Sequence, residues 1–182
     1  MPRLSRPVDL KKCIRSVPDF PKPGIMFRDI TPLLRDAAAF REAVRCMAEP
    51  YRKGDADVVV GAESRGFIFA AAIALHLGAG FVPIRKKGKL PFKTASVTYD
   101  LEYGTDTLQM HTDAVGPGTR VLMVDDLLAT GGTMAACCRM VQEAGGRIIG
   151  LEFLIELAFL KGRDKLAGYP VRSQIVFQDE SP

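Results

Sequence analysis

The feature that most constrains this chain is a series of short, continuously apolar runs rich in β-branched residues. ADVVVGAE (56–63), GFVPIRK (80–86), TRVLMVDD (119–126), RIIGLEFLIEL (147–157) and VRSQIVF (171–177) all read as strands. Runs without an alternating polar face belong to a sheet covered on both sides. Helical patterns fall between them. From Asp36, a plausible N-cap, Phe40, Val44, Met47 and Tyr51 recur at helical spacing. GFIFAAAIALHLG (66–78) is a second helix with Gly78 as its stop, and TMAACCRMVQEAGG a third. Strands alternating with helices predict an α/β fold, a parallel sheet flanked by helices. The 182 residues suit one domain, and no internal repeat or boundary divides them.

Two regions break the rhythm. Residues 94–112 read as two strands around EYGT, an antiparallel flap. Residues 17–34, VPDFPKPGIMFRDITPLL, are rich in proline but carry Phe20, Ile25, Met26 and Phe27, so they form a loop with apolar contents rather than a linker.

Composition narrows the function classes. A net charge of +4, spread along the chain, favours anionic small ligands but is too weak to argue for nucleic acid. No apolar run reaches the length of a membrane span, and the N-terminus MPRLSRPVDLKKC lacks the apolar core of a secretory signal. The four cysteines form no CxxC pair. They read as reduced thiols in a cytoplasmic protein, not staples or metal ligands.

Chemistry concentrates at the predicted carboxyl edge of the sheet, where open α/β folds bind ligands. The run VLMVDDLLATGGTM is expected to end its strand on Asp125 and Asp126. Ala129, Thr130, Gly131, Gly132 and Thr133 then form a small glycine-rich turn opening a helix, where backbone N–H groups hold an anion. The lysine of a Walker loop is missing, and G-x-G-x-x-G does not fit.

The hydrophobic strand, paired acids and TGGT together resemble the signature of type I phosphoribosyltransferases, which bind phosphoribosyl pyrophosphate (PRPP). The resemblance implies that the Ala129–Thr133 turn holds the 5-phosphate. Asp125 and Asp126 then accept hydrogen bonds from the ribose hydroxyls and favour a cationic sugar. GAESRGF (61–67) would contact pyrophosphate through Arg65. The basic run RKKGKLP would close over the leaving group, with Arg85, Lys86 and Lys89 matching the basic loop of related transferases.

Within that family the spacing from RKKGKLP to LEYG, with FRDITPLL and ELAFLKGRDKL, looks like adenine phosphoribosyltransferase from about residue 15 to about residue 170. This implies a hood from about 1–34 and a core from about 35–182 that includes a mobile loop at about 85–108. It makes Glu102 the catalytic acid–base residue, with Tyr103 moving beside it. Met26, Phe27, Arg28 and Leu127 become the adenine contacts. The implied reaction joins adenine and PRPP to give AMP and pyrophosphate in purine salvage. Mg²⁺ would be held mainly through PRPP near the two acids, in a homodimer. His76 and His111 have no partner in these motifs and read as structural.

Two alternatives stay open at this level. A transferase for a 6-oxopurine such as hypoxanthine or guanine needs a donor facing O6, and Lys161 is the residue that keeps it alive. A non-catalytic PRPP-sensing regulator would show a nucleic-acid-binding extension or a degraded loop, and this chain has neither.

Overall fold

The computed structural model describes residues 8–100 and 104–181. Near the N-terminus, β1 (Arg15–Val17) and β2 (Phe27–Asp29) pair antiparallel as a small two-stranded sheet. A short α1 (Thr31–Arg35) leads into α2 (Ala37–Ala48). Asp36 caps α2 as its sequence position predicts, accepting hydrogen bonds from the Ala38 and Ala39 amides at 2.8 and 3.0 Å.

The core follows in order: β3 (Val58–Ala62), α3 (Gly66–Leu77), β4 (Gly80–Lys86), β5 (Thr94–Asp100), β6 (Thr105–His111), β7 (Arg120–Leu128), α4 (Gly132–Glu143), β8 (Arg147–Leu157) and β9 (Val171–Phe177). The sheet runs β5-β6-β4-β3-β7-β8-β9. Strands β4, β3, β7, β8 and β9 are parallel, and β5 and β6 join antiparallel at one edge. The flap expected over residues 94–112 is therefore a hairpin continuous with the sheet. It meets β4 through the pairs Arg85–Gln109 and Lys86–Leu108.

Alternation along β7 makes two cores. Val121 and Met123 pack with α4 and the hairpin, while Leu122 and Val124 pack with α2 and α3. All four are essentially inaccessible to solvent, which is why this strand carries no polar face.

One expectation needs correction. β7 does not end on its acids but continues to Leu128, because Leu127 and Leu128 still pair with Ile155 and Glu156 of β8. Asp125 and Asp126 are thus set within the strand, with the phosphate-type turn beginning at Ala129, three residues after Asp126.

Chain direction reverses its lateral progress between β3 and β7. From β3 the chain moves outward to β4, and β7 returns on the other side of β3. The loops leaving β3 and β7 consequently diverge around a crevice, the position where parallel sheets take ligands.

Candidate active site

That crevice is a cleft of about 350 Å³ lined by Glu63, Ser64 and Arg65 from the β3 loop and by Asp125 to Met134 from β7 and its turn. Gly66 makes the close fit of the two halves possible. A Cβ there would stand 2.6 Å from Asp125 Oδ1 and 3.2 Å from the Val124 carbonyl. Any side chain would push the start of α3 off the acids.

The two acids differ. Asp125 is half-buried and its Oδ1 accepts the Asp126 amide at 2.9 Å, whereas Asp126 is buried and its Oδ2 meets Arg65 Nε at 2.8 Å. Burial pushes the Asp125 carboxyl well above the usual range, and the neighbouring Asp126 charge adds to it. Burial also raises Asp126, with Arg65 opposing. Burial disfavours two full charges on the pair, and Arg65 offsets part of that cost at Asp126.

Ala129, Thr130, Gly131, Gly132 and Thr133 all line the cleft. Gly131 adopts a left-handed conformation (φ 77°) as the N-cap of α4, directing the helix N-terminus at the cavity. The turn rests from behind on Gly162, and a Cβ on either glycine would overlap backbone of the other segment. Thr133 Oγ1 lies 3.2 Å from Tyr99 Oη, which ties the flap strand β5 to the phosphate turn.

Arg65 faces pyrophosphate in the sequence reading, but here its cation pairs with Asp126 and lies 5.3 Å from the centre of the Phe27 ring. Phe27 in turn meets Phe20 edge-on at 5.0 Å. The N-terminal two-stranded sheet thereby meets the cleft through the contact of Phe27 with Arg65, and Leu127 lines it from β7.

The other expected base contacts point elsewhere. Arg28 is buried with its guanidinium 3.9 Å from the Phe177 ring centre. It donates to Ser16 Oγ and to the Ser181 carbonyl, both at 2.5 Å. Strand alternation explains this: Phe27 and Arg28 are neighbours on β2 and must face opposite ways. Met26 lines a separate cavity of about 140 Å³ with Pro18, Asp19, Gly24, Ile25 and Glu180.

The three cations of the basic loop are brought together, around a residue not singled out in the sequence. Glu63 accepts the Lys86 amide at 2.8 Å and Lys89 Nζ at 2.9 Å, and Arg85 Nε stands 3.4 Å away. Burial works against a charge on Glu63, but those contacts outweigh it and hold the carboxyl below its usual range. Lys86 Nζ pairs with Asp106 of β6 at 3.2 Å. The signal for Glu63 was its place in GAESRGF at the end of β3. Lys161 is exposed and does not line the cleft.

Glu102 and Tyr103 lie outside the described residues. The strands on either side of them are described, with Tyr99 pairing with Asp106 and Asp100 with Thr105. Among the described residues, no group of three or more His, Cys, Asp or Glu side chains is arranged to hold a metal, and no helix is long and apolar enough to cross a membrane.

Comparison with known proteins agrees with this geometry. Residues 30–177 match the phosphoribosyl transferase domain family. The adenine phosphoribosyltransferase of Solibacter usitatus (strain Ellin6076) is 59% identical over 169 residues, covering 93% of this chain and 98% of the relative. The crystal structure of adenine phosphoribosyltransferase from Rhodothermus marinus DSM 4252 superposes with a TM-score of 0.88 at 53% identity, over 92% of this chain and 96% of that one. The Saccharomyces cerevisiae enzyme, solved with an imino-altritol bisphosphate and adenine, gives 0.85 at 39% identity, over 91% and 96% of the two chains. The match extends over nearly the whole chain in both sequence and fold, and the chain belongs to the adenine phosphoribosyltransferase family.

Proposed function

We propose that the cleft transfers the 5-phosphoribosyl group of PRPP to adenine, giving AMP and pyrophosphate in purine salvage. The observation that carries this reading is the placement of two buried-edge carboxylates beside a glycine–threonine turn at a helix N-terminus, in one cleft. A sugar phosphate needs both: N–H and hydroxyl donors for the phosphate, acceptors for the 2- and 3-hydroxyls.

In this reading the Ala129–Thr133 turn takes the 5-phosphate, and Asp125 and Asp126 take the ribose. The bond from ribose C1 to the pyrophosphate oxygen breaks as the bond from C1 to N9 of adenine forms. The carboxylates offset the positive charge on the sugar between those events. The N9 proton passes to Glu102, the acid that the family pattern puts in this role. Arg65, Arg85, Lys86 and Lys89 accept the leaving pyrophosphate after exchanging their present partners, and Tyr103 shifts with the closing flap. Phe27 and Leu127 flank adenine, whose exocyclic amino group needs an acceptor; the main chain around Met26–Arg28 offers carbonyls for it. Lys161, the donor a 6-oxopurine would want, stands away from the cleft.

Mg²⁺ suits this donor set. Two desolvated carboxylates gain from a nearby divalent cation, and a site with no complete protein cage leaves room for phosphate oxygens and water. When bound, the ion would neutralise charge on the pyrophosphate group.

The reading includes a homodimer, and α3 supports it. Its sequence GFIFAAAIALHL is apolar on nearly every side, the composition of a helix covered all round. Yet Ile68 is 38% and Leu75 is 85% exposed on one stripe, with Phe81 of β4 (38%) nearby. A second copy of this chain is the occupant we assign, because β4 runs from that face directly to Arg85, placing the partner within reach of the basic loop. The four unpaired thiols, Cys137 and Cys138 among them buried, accord with a cytoplasmic setting.

The reading is tested by measuring nucleotide formation from PRPP, Mg²⁺ and each of adenine, hypoxanthine and guanine. AMP formation should dominate by at least about a hundredfold. Comparable turnover of hypoxanthine would replace it with the 6-oxopurine alternative, and no turnover of any base would favour a regulator.

A further inference from the structure

Behind the phosphate turn stands a second layer of structure that does not itself line the cleft. Residues Gly162–Leu166 form a 3-10 turn after β8, entered through Lys161, a non-glycine residue in the left-handed region at φ 53°. That conformation costs an ordinary side chain about 1 kcal/mol and persists where its surroundings hold it. Its effect is to swing Gly162 under the phosphate turn. The contact is backbone on backbone: a Cβ on Gly131 would overlap the Gly162 carbonyl, and one on Gly162 would overlap the Ala129 carbonyl and crowd Leu128 Cδ1 at 2.9 Å.

What holds the turn there is one arginine. Arg163 grips Glu156 at the end of β8 with both prongs, Nε to Oε1 and Nη2 to Oε2, each at 2.7 Å. Its Nη1 also donates to the Val171 carbonyl of β9 at 2.9 Å. Glu156 itself pairs in register with Leu128, the last residue of β7. The fork therefore fixes the 3-10 turn to the same strand ends from which the phosphate turn departs. A planar, two-pronged grip of this kind sets orientation as well as distance, which a lysine cannot do.

We infer that Glu156 and Arg163 are positioning residues for the sugar-phosphate end of the site, acting through Gly162 on the Ala129–Thr133 turn. The inference rests on the phosphoribosyl reading of the cleft. It predicts a split between ligands, because the residues assigned to pyrophosphate sit on β3, β4 and their loops and have no contact with this brace.

The test uses the full chain with Arg163→Lys, which keeps the charge and loses the fork, and Glu156→Gln, which keeps the shape and loses the charge. Calorimetric titration is run with ribose 5-phosphate and separately with pyrophosphate and Mg²⁺, alongside thermal melting. The expected result is ribose 5-phosphate affinity weakened about tenfold, with pyrophosphate affinity within about twofold of wild type and KM for PRPP raised more than kcat falls. Unchanged ribose 5-phosphate affinity overturns the inference. So does equal weakening of both ligands, or failure of both variants to fold, since either makes the pair a general structural contact. If the wild-type chain binds pyrophosphate but no ribose 5-phosphate, the functional reading falls and the brace falls with it.

Discussion

Arg65 and Asp126 form an ion pair of 2.8 Å between the β3 loop and the end of β7, joining the halves of the cleft assigned to pyrophosphate and to ribose. The carboxylate is nearly buried (8% exposed) and the guanidinium is not (36%). Removing the arginine leaves a desolvated acid without its cation, while removing both leaves neither. Arg65→Met should raise KM for PRPP by about tenfold or more and lower the melting temperature. Adding Asp126→Asn to it should restore stability without restoring KM. Steady-state kinetics and melting curves on wild type and the two variants decide this; recovery of KM in the double variant would remove Arg65 from pyrophosphate recognition.

Glu63 gathers the basic loop as a counter-anion. Glu63→Gln keeps an acceptor for the Lys86 amide at the position where it now bonds at 2.8 Å, but releases Lys89 and Arg85 from a negative charge. Pyrophosphate should then inhibit about three- to tenfold more strongly, and turnover should fall where its departure is slow. Product-inhibition constants supply the check. Weaker inhibition by pyrophosphate would mean that Glu63 orders the loop for the ligand instead of competing with it.

Glu102→Gln should lower turnover by about two to four orders of magnitude with PRPP affinity little changed, the pattern of a lost proton acceptor. Single-turnover rates with pre-bound PRPP isolate that step, and near-normal rates would assign the proton to another group.

Glu152 carries a pH dependence unrelated to catalysis. It is fully buried on β8, accepts Tyr51 Oη at 3.1 Å and Gln174 Nε2 at 3.2 Å, and burial pushes its carboxyl up from 4.5 to about 7. The folded state then holds a proton that the unfolded chain releases at lower pH. Stability from this group is complete below about pH 4.5 and is lost as pH rises toward 7, a change on the order of 3 kcal/mol. Comparing denaturant unfolding of wild type and Glu152→Gln from pH 5 to 7.5 subtracts every other titration. The wild type should lose ground relative to the variant on going up, and parallel profiles would contradict the assignment.

Leu75→Asp places a charge on the most exposed apolar position of α3, 85% accessible in the single chain. The expected outcome by light scattering is a shift from dimer to monomer. A dimer of wild-type stability would move the interface to another face.

Local signals carried the fold well. Asp36 capping α2, Gly78 ending α3 in a left-handed turn and the unbroken apolar runs of the parallel strands are each decided within a few residues. The acids and the TGGT turn were legible for the same reason. What escaped notice depends on elements far apart in the chain. Glu63 meets Lys89, Arg65 meets Asp126 and Gly131 meets Gly162 only once the sheet order brings their strands together. Arg28 makes the same point on a smaller scale: the direction its side chain takes from β2 is set by what covers that side, here Phe177.

The cations assigned to pyrophosphate already have carboxylate partners. Arg65 sits on Asp126, Lys89 and Arg85 on Glu63, and Lys86 on Asp106. An incoming polyanion does not land on bare positive charge; it takes part in an exchange in which three protein carboxylates give up four cations. Affinity is then a difference between two sets of ion pairs, and added salt weakens both sides of that difference. Added salt should therefore weaken pyrophosphate binding less than it would at a cluster of four cations with no carboxylates beside them.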